Sequence, residues 1–85
     1  MRNLQFAPGA FGEFTGWAVA DKKLFQRLVR LLEEVCRTPF EGIGKPERLK
    51  HGLAGLWSRR LNDEHRLIYQ VLDGVIIVMS CRDHY

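Results

Sequence analysis

Four residues spread along an 85-residue chain supply the parts for acid–base attack on a phosphodiester. Glu47 offers a carboxylate, Arg66 a guanidinium, His84 an imidazole and Tyr85 a phenol. The last two are also the last two residues, and chain ends fray unless something ties them down. A titratable pair there points to chemistry rather than to packing. Cleaving RNA without a metal ion uses the neighbouring 2′-hydroxyl as nucleophile and leaves a 2′,3′-cyclic phosphate and a free 5′-hydroxyl. That route needs a base on the 2′-hydroxyl, an acid on the departing 5′-oxygen and cationic donors on the phosphorane. Each positioned proton transfer contributes on the order of 10²–10⁴-fold.

Each residue also has an ordinary structural reading. Glu47 suits a base if burial raises it toward neutrality, and equally suits a solvated ion pair with Lys45, Arg48 or Lys50. The planar fork of Arg66 can hold two phosphate oxygens and stays charged; the alternative is a cross-strand ion pair with Asp83. His84 can arrive protonated and give that proton up, or be a loose terminal histidine. Tyr85 can stack on an unpaired base, or pack on a sheet edge.

The net charge of +3 is modest, but its distribution is uneven. From Lys45 to Arg60 five basic residues (Lys45, Arg48, Lys50, Arg59 and Arg60) stand against a single acid, Glu47. Such a field suits a polyanion, and Lys45, Lys50, Arg59 and Arg60 are the expected RNA or ribosome contacts. A solvated loop that keeps the protein in solution is the other reading of the same charges. Cys36 and Cys81 form no CxxC pair, and His51, His65 and His84 lack metal-ligand spacing. Reduced thiols, no metal and no cofactor are expected. No apolar run approaches the roughly 18 residues of a membrane span, and the first residues lack the apolar core of a secretory signal. The expected location is the cytoplasm.

These residues must be positioned by a single domain spanning 1–85. Residues 2–6 read as a strand and 8–20 as a helix, weakened at Gly9, Gly12 and Gly16 by about 1 kcal/mol each. Asp21 is the expected N-cap of a second helix. Its stripe of Leu24, Leu28, Leu31 and Val35 with Phe25, Leu32 and Cys36 faces a core, and Thr38-Pro39 ends it. Residues 41–47 read as a loop, and strands are expected at 56–61, 65–72 and 75–81. Asp73-Gly74 marks a two-residue hairpin turn. The fold class is therefore α+β, with two N-terminal helices on one face of a mainly antiparallel sheet. A strict two-residue turn pairs Arg66 with Cys81 and puts His84 on the opposite face from Arg66. Convergence of the four residues thus requires a bulge, or departure of residues 82–85 from the ladder.

The motifs RTPFEG (37–42), GKPE (44–47), LKH (49–51), WSRR (57–60), EHRL (64–67) and a terminal CRDHY (81–85) resemble the YoeB (Txe) toxins of the RelE superfamily. The match is close over 37–85 and looser over the helices. The resemblance implies a RelE-like, microbial-ribonuclease-like fold. It further implies a bacterial toxin–antitoxin endoribonuclease that cleaves mRNA in the ribosomal A site, at the decoding centre of the small subunit, and arrests translation. A YefM-type antitoxin is the implied partner, and a homodimer is compatible with the group. Carried over by motif, the general base falls on Glu47, the phosphate-stabilising arginine on Arg66, the general acid on His84 and the aromatic partner on Tyr85. Lys50 and Arg60 fall on supporting basic positions. The chain departs from the family at Asp83, where an aromatic residue is common, and in its glycine-rich first helix. The same superfamily scaffold also serves gyrase-inhibiting toxins that act by binding alone, which is the alternative function.

Overall fold

The computed structural model describes residues 1–50 and 55–83. Strand β1 (Asn3–Phe6) is followed by helices α1 (Ala10–Ala20) and α2 (Lys22–Arg37), then by β2 (Glu47–Arg48), β3 (Leu56–Arg60), β4 (Arg66–Leu72) and β5 (Val75–Ser80). The Asp21 carboxylate accepts the Leu24 amide at 3.1 Å and starts α2 as expected. The apolar stripe of α2 is buried from Leu24 to Cys36. Helix α1 begins two residues later than expected, because Gly9 sits at φ 87°, outside any right-handed helix. Only Ala10 of α1 is fully buried; Phe14 and Trp17 lie half-buried against the core.

The strands form one sheet in the order β1-β5-β4-β3-β2. The β1–β5 pair is parallel, and the other three pairs are antiparallel. Both helices cover one face, where Leu67, Tyr69, Ile76, Val78 and Cys81 join the α2 stripe in a single core. Glu47, expected at the end of a loop, and Arg48 after it pair with Ser58 and Trp57 as a short edge strand. Two residues carry no period-two signal, so this strand was invisible to pattern. Leu72 faces Val75 across Asp73-Gly74, as the turn residues require.

The β4–β5 ladder is irregular between Ile68 and Tyr69. Tyr69 faces Val78, whereas Ile68 faces Ser80, so Met79 is an extra residue. The bulge shifts Cys81 from the expected place opposite Arg66 to the helix-covered face, where it is fully buried.

Arg59 does not contact solvent, which corrects its expected role in RNA binding. Its side chain is 0% exposed and its donors are all used within the protein. Nη1 donates to Glu34 Oε1 at 2.5 Å and to the Ile43 carbonyl at 3.2 Å. Nη2 donates to the Thr38 and Glu41 carbonyls at 2.5 and 2.9 Å, and Nε to the Tyr69 hydroxyl at 3.2 Å. The Tyr69 hydroxyl donates in turn to the Pro39 carbonyl at 2.7 Å. A buried guanidinium requires such partners, and here they are the carbonyls of the loop that leads into β2. Gly42 makes room for the arrangement: at φ 131°, a Cβ would lie 1.8 Å from Glu34 Oε1.

Arg59→Met should cost about 3–5 kcal/mol, the usual penalty for breaking a buried pair, measured by urea denaturation. Arg59→Lys should not restore it, since one ammonium cannot span the carbonyls. Burial pushes the Glu34 carboxyl up, but the Ile43 amide, the Arg59 bond and the charges of Arg59 and Arg37 together hold it below its ordinary 4.5. A lowered native value means that ionised Glu34 stabilises fully above the unfolded value and loses that contribution as pH falls through the native one. Urea titrations from neutral pH downward should show a shallower acid loss in Glu34→Gln.

Candidate active site

Residues directly opposite one another in a sheet share a face. The registers place Glu47, Ser58, Ile68 and Ser80 in one row across β2, β3, β4 and β5. Ile68 is buried yet absent from the helix-side core, so this row lies on the face away from α1 and α2. The next row holds Arg60 opposite Arg66. The carboxylate of Glu47 and the guanidinium of Arg66 therefore rise from the same face. They are separated by two strand spacings, roughly 10 Å, and by about 7 Å along the strands. Two side chains of that length can meet on one phosphate.

Several contacts set the Arg60–Arg66 pair in place. The Asn62 side chain accepts the amides of Glu64 and His65 at 2.8 and 2.7 Å, closing a tight turn between β3 and β4. His65 belongs to that turn, since its carbonyl accepts the Leu61 amide at 2.9 Å; β4 accordingly begins at Arg66. Arg27 of α2 donates to the Leu61 and Arg60 carbonyls at 2.7 and 3.3 Å. Like charges directly opposite on adjacent strands are destabilising, and among the described residues neither Arg60 nor Arg66 makes an ion pair. The Arg66–Asp83 ion pair, the alternative reading of Arg66, is not formed; the Asp83 carboxylate instead lies 3.9 Å from His65 Nδ1.

Lys45 and Lys50 flank β2 and are exposed, as is Arg60, while Arg66 is half-buried. Arg48 turns the other way, with its guanidinium 5.9 Å from the centre of the Trp57 ring. His84 and Tyr85, the expected acid and aromatic partner, lie outside the described residues, as does His51.

The segment leading to that terminal pair is tied down residue by residue. The Cys81 amide donates to Glu13 at 2.8 Å, and its carbonyl accepts the Trp17 indole at 2.9 Å. The Asp83 amide donates to His65 Nδ1 at 2.7 Å, and its carbonyl accepts the Arg66 amide at 3.0 Å. Arg82 lies with its guanidinium 5.7 Å from the Trp17 ring centre. Residues 81–83 thus leave the regular ladder yet remain fixed beside the start of β4. Sequence reasoning missed Glu13, Trp17 and His65. Glu13 and Trp17 are four apart and share a helix face, a pattern visible in the chain but without a known counterpart.

Comparison with known proteins shows the family. The model for YoeB-like toxins of bacterial type II toxin–antitoxin systems matches residues 6–85. The chain belongs to this family. Toxin RelK of Mycobacterium tuberculosis is 47% identical over 85 residues, covering all of both chains. The YoeB dimer from Staphylococcus aureus superposes with a TM-score of 0.91 at 45% identity, covering 99% of this chain and 98% of that one. A heterotetrameric YoeB–YefM complex from the same organism gives 0.89 at 44% identity, covering 100% and 99%. The α+β, RelE-like architecture expected from the motifs is thus the family's own. No helix of the described residues is long and apolar enough to cross a membrane.

The tie at Cys81 has a chemical reporter in this YoeB-like toxin. Burial, reinforced by the Glu13 charge, pushes the Cys81 thiol up to about 12. Against an ordinary value of 9.0 this leaves about a thousandfold less thiolate at neutral pH. Mass-spectrometric alkylation should label native Cys81 only on unfolding, and Glu13→Ala should speed labelling by opening the segment.

Proposed function

We propose that this toxin is a ribosome-dependent endoribonuclease that cuts mRNA in the A site by attack of the 2′-hydroxyl. The observation that carries the reading is the Arg60–Arg66 pair, without an ion-pair partner among the described residues, on the same face as Glu47 and away from α1 and α2. The register sets these two arginines opposite each other, among the described residues no acid pairs with either, and a phosphodiester would bring an anion together with a proton for a base to remove. Glu47 takes the proton from the 2′-hydroxyl as the O2′–P bond forms. Arg66 holds the non-bridging oxygens as negative charge builds on the phosphorane. The P–O5′ bond then breaks, and His84 gives its proton to the leaving oxygen. Tyr85 orients the substrate at the same end. Lys45, Lys50 and Arg60 hold flanking phosphates. The products are a 2′,3′-cyclic phosphate and a 5′-hydroxyl end.

The proposed partners are mRNA in the decoding centre and a YefM-type antitoxin. A staphylococcal relative forms a heterotetramer with YefM, and another is a dimer. An acidic, apolar antitoxin segment that folds on binding suits an exposed basic face. Self-association is proposed on the same footing.

Primer extension on ribosome-bound mRNA tests the reading. Wild type should produce new cuts, and Glu47→Gln, Arg66→Ala and His84→Gln should each reduce them by about 10²–10⁴-fold. Growth arrest without cuts, or undiminished cutting by His84→Gln, would instead support a toxin that acts by binding alone. Affinity for the ribosome–mRNA complex should fall linearly in log salt, with the slope reduced by about 1 in Lys50→Ala. A flat dependence would remove the basic residues from the interface.

A further inference from the structure

We propose that His65 is a positioning residue for the terminal acid, holding the Asp83 amide through Nδ1 and so fixing, beside Arg66, the residue that precedes it. This inference rests on the ribonuclease reading above. A backbone amide can donate only to a ring nitrogen bearing a lone pair, so the 2.7 Å bond from Asp83 places the His65 proton on Nε2. Nε2 in turn lies 3.7 Å from Glu64 Oε1. The ring stands edge-on to Trp17, with centroids 4.7 Å apart at 67°. Trp17 also holds the Cys81 carbonyl, so one indole supports both ties of the segment.

Packing alone does not call for an imidazole here. An apolar ring would fill the same space against Trp17, and the amide of exposed Asp83 could be satisfied by water. What the imidazole adds is a fixed acceptor for a residue in an unfavourable conformation. Asp83 stands at φ 62°, one of two non-glycine residues with positive φ among those described. That conformation costs roughly 1–2 kcal/mol and persists only where surrounding contacts over-determine it. Here the His65 ring accepts the N–H of Asp83 and the Arg66 amide donates to its carbonyl, so the backbone is held on both sides of the Asp83 Cα. Arg66 thus acts twice, with its guanidinium offered to phosphate and its backbone tied to the residue that precedes the acid. Displacing a catalytic group by about 1 Å can cost on the order of 10²-fold in rate.

The test compares His65→Phe and His65→Leu, which remove the acceptor, with His65→Asn, whose Oδ1 can occupy the place of Nδ1. On ribosome-bound mRNA the Phe and Leu variants should lose about 10²-fold in kcat with KM little changed, and Asn should recover most of it. Wild-type kcat in Phe or Leu, or loss confined to KM, would overturn the proposal. In the isolated protein, the ¹⁵N–¹H heteronuclear NOE of Asp83 should fall in Phe and Leu and be retained in Asn. An unchanged NOE in Phe and Leu would overturn it regardless of catalysis. The ¹⁵N shifts of the wild-type imidazole need no variant: a protonated Nε2 with a bare Nδ1 supports the clamp, and the opposite tautomer refutes it. If wild type cuts no mRNA while the NOE behaves as described, the ribonuclease reading falls and the clamp stands.

Discussion

One extra residue, Met79, governs where the end of this chain goes. Had β4 and β5 stayed in strict register from the Asp73-Gly74 turn, Cys81 would face Arg66 on the open side of the sheet. The bulge between Ile68 and Tyr69 moves Cys81 to the helix side instead. There the α1 side chains of Glu13 and Trp17 can reach both of its peptide groups. The same displacement brings Asp83 level with His65 and Arg66. A bulge of this kind re-aims a strand next to a functional surface, and here the re-aimed element is the tail that carries the terminal His-Tyr pair.

The sheet divides its basic residues by face. Arg59 and Arg60 are adjacent in the chain, but alternation sends one inward and the other outward. The inward residue stitches the loop before β2 to the core, and the outward one stands opposite Arg66 on the face away from the helices. A buried charge is costly, and removing its partners more so. The conformation of residues 38–44, and hence the approach of Glu47, depends on Arg59 keeping its network. Charge at the site and order beneath it thus come from two neighbouring arginines with opposite environments.

Much of the frame was legible in the chain. The stripe from Leu24 to Cys36, the Asp21 cap and the Asp73-Gly74 hairpin each have a local cause, and each formed where that cause placed it. Helix α1 was less legible because its burial is slight and Gly9 turns the chain before it. Strand β2 is too short to show a period. Counting charge between Lys45 and Arg60 overlooked alternation: with Trp57 facing the helices, Arg59 must face them too. The bulge was foreseen only as a condition for convergence. The tie through Glu13, Trp17 and His65 joins residues some 18 to 68 positions apart, which no local pattern reveals. The family resemblance was legible in RTPFEG, GKPE, LKH, WSRR, EHRL and the terminal CRDHY, motifs that mix buried residues such as Arg59 and Leu67 with the candidate site residues.

The central claim is that one face of the sheet gathers the base, the phosphate-binding arginine and the terminal acid around a single linkage. The most direct check is a structure of the toxin on a ribosome programmed with mRNA whose scissile 2′-hydroxyl is methylated. Glu47 should then lie within about 3 Å of the blocked 2′-oxygen, with Arg66 and His84 equally close to the phosphate and the 5′-oxygen. A scissile phosphate seated away from the Arg60–Arg66 row, or a His84 imidazole directed to the helix-covered side, would contradict the account.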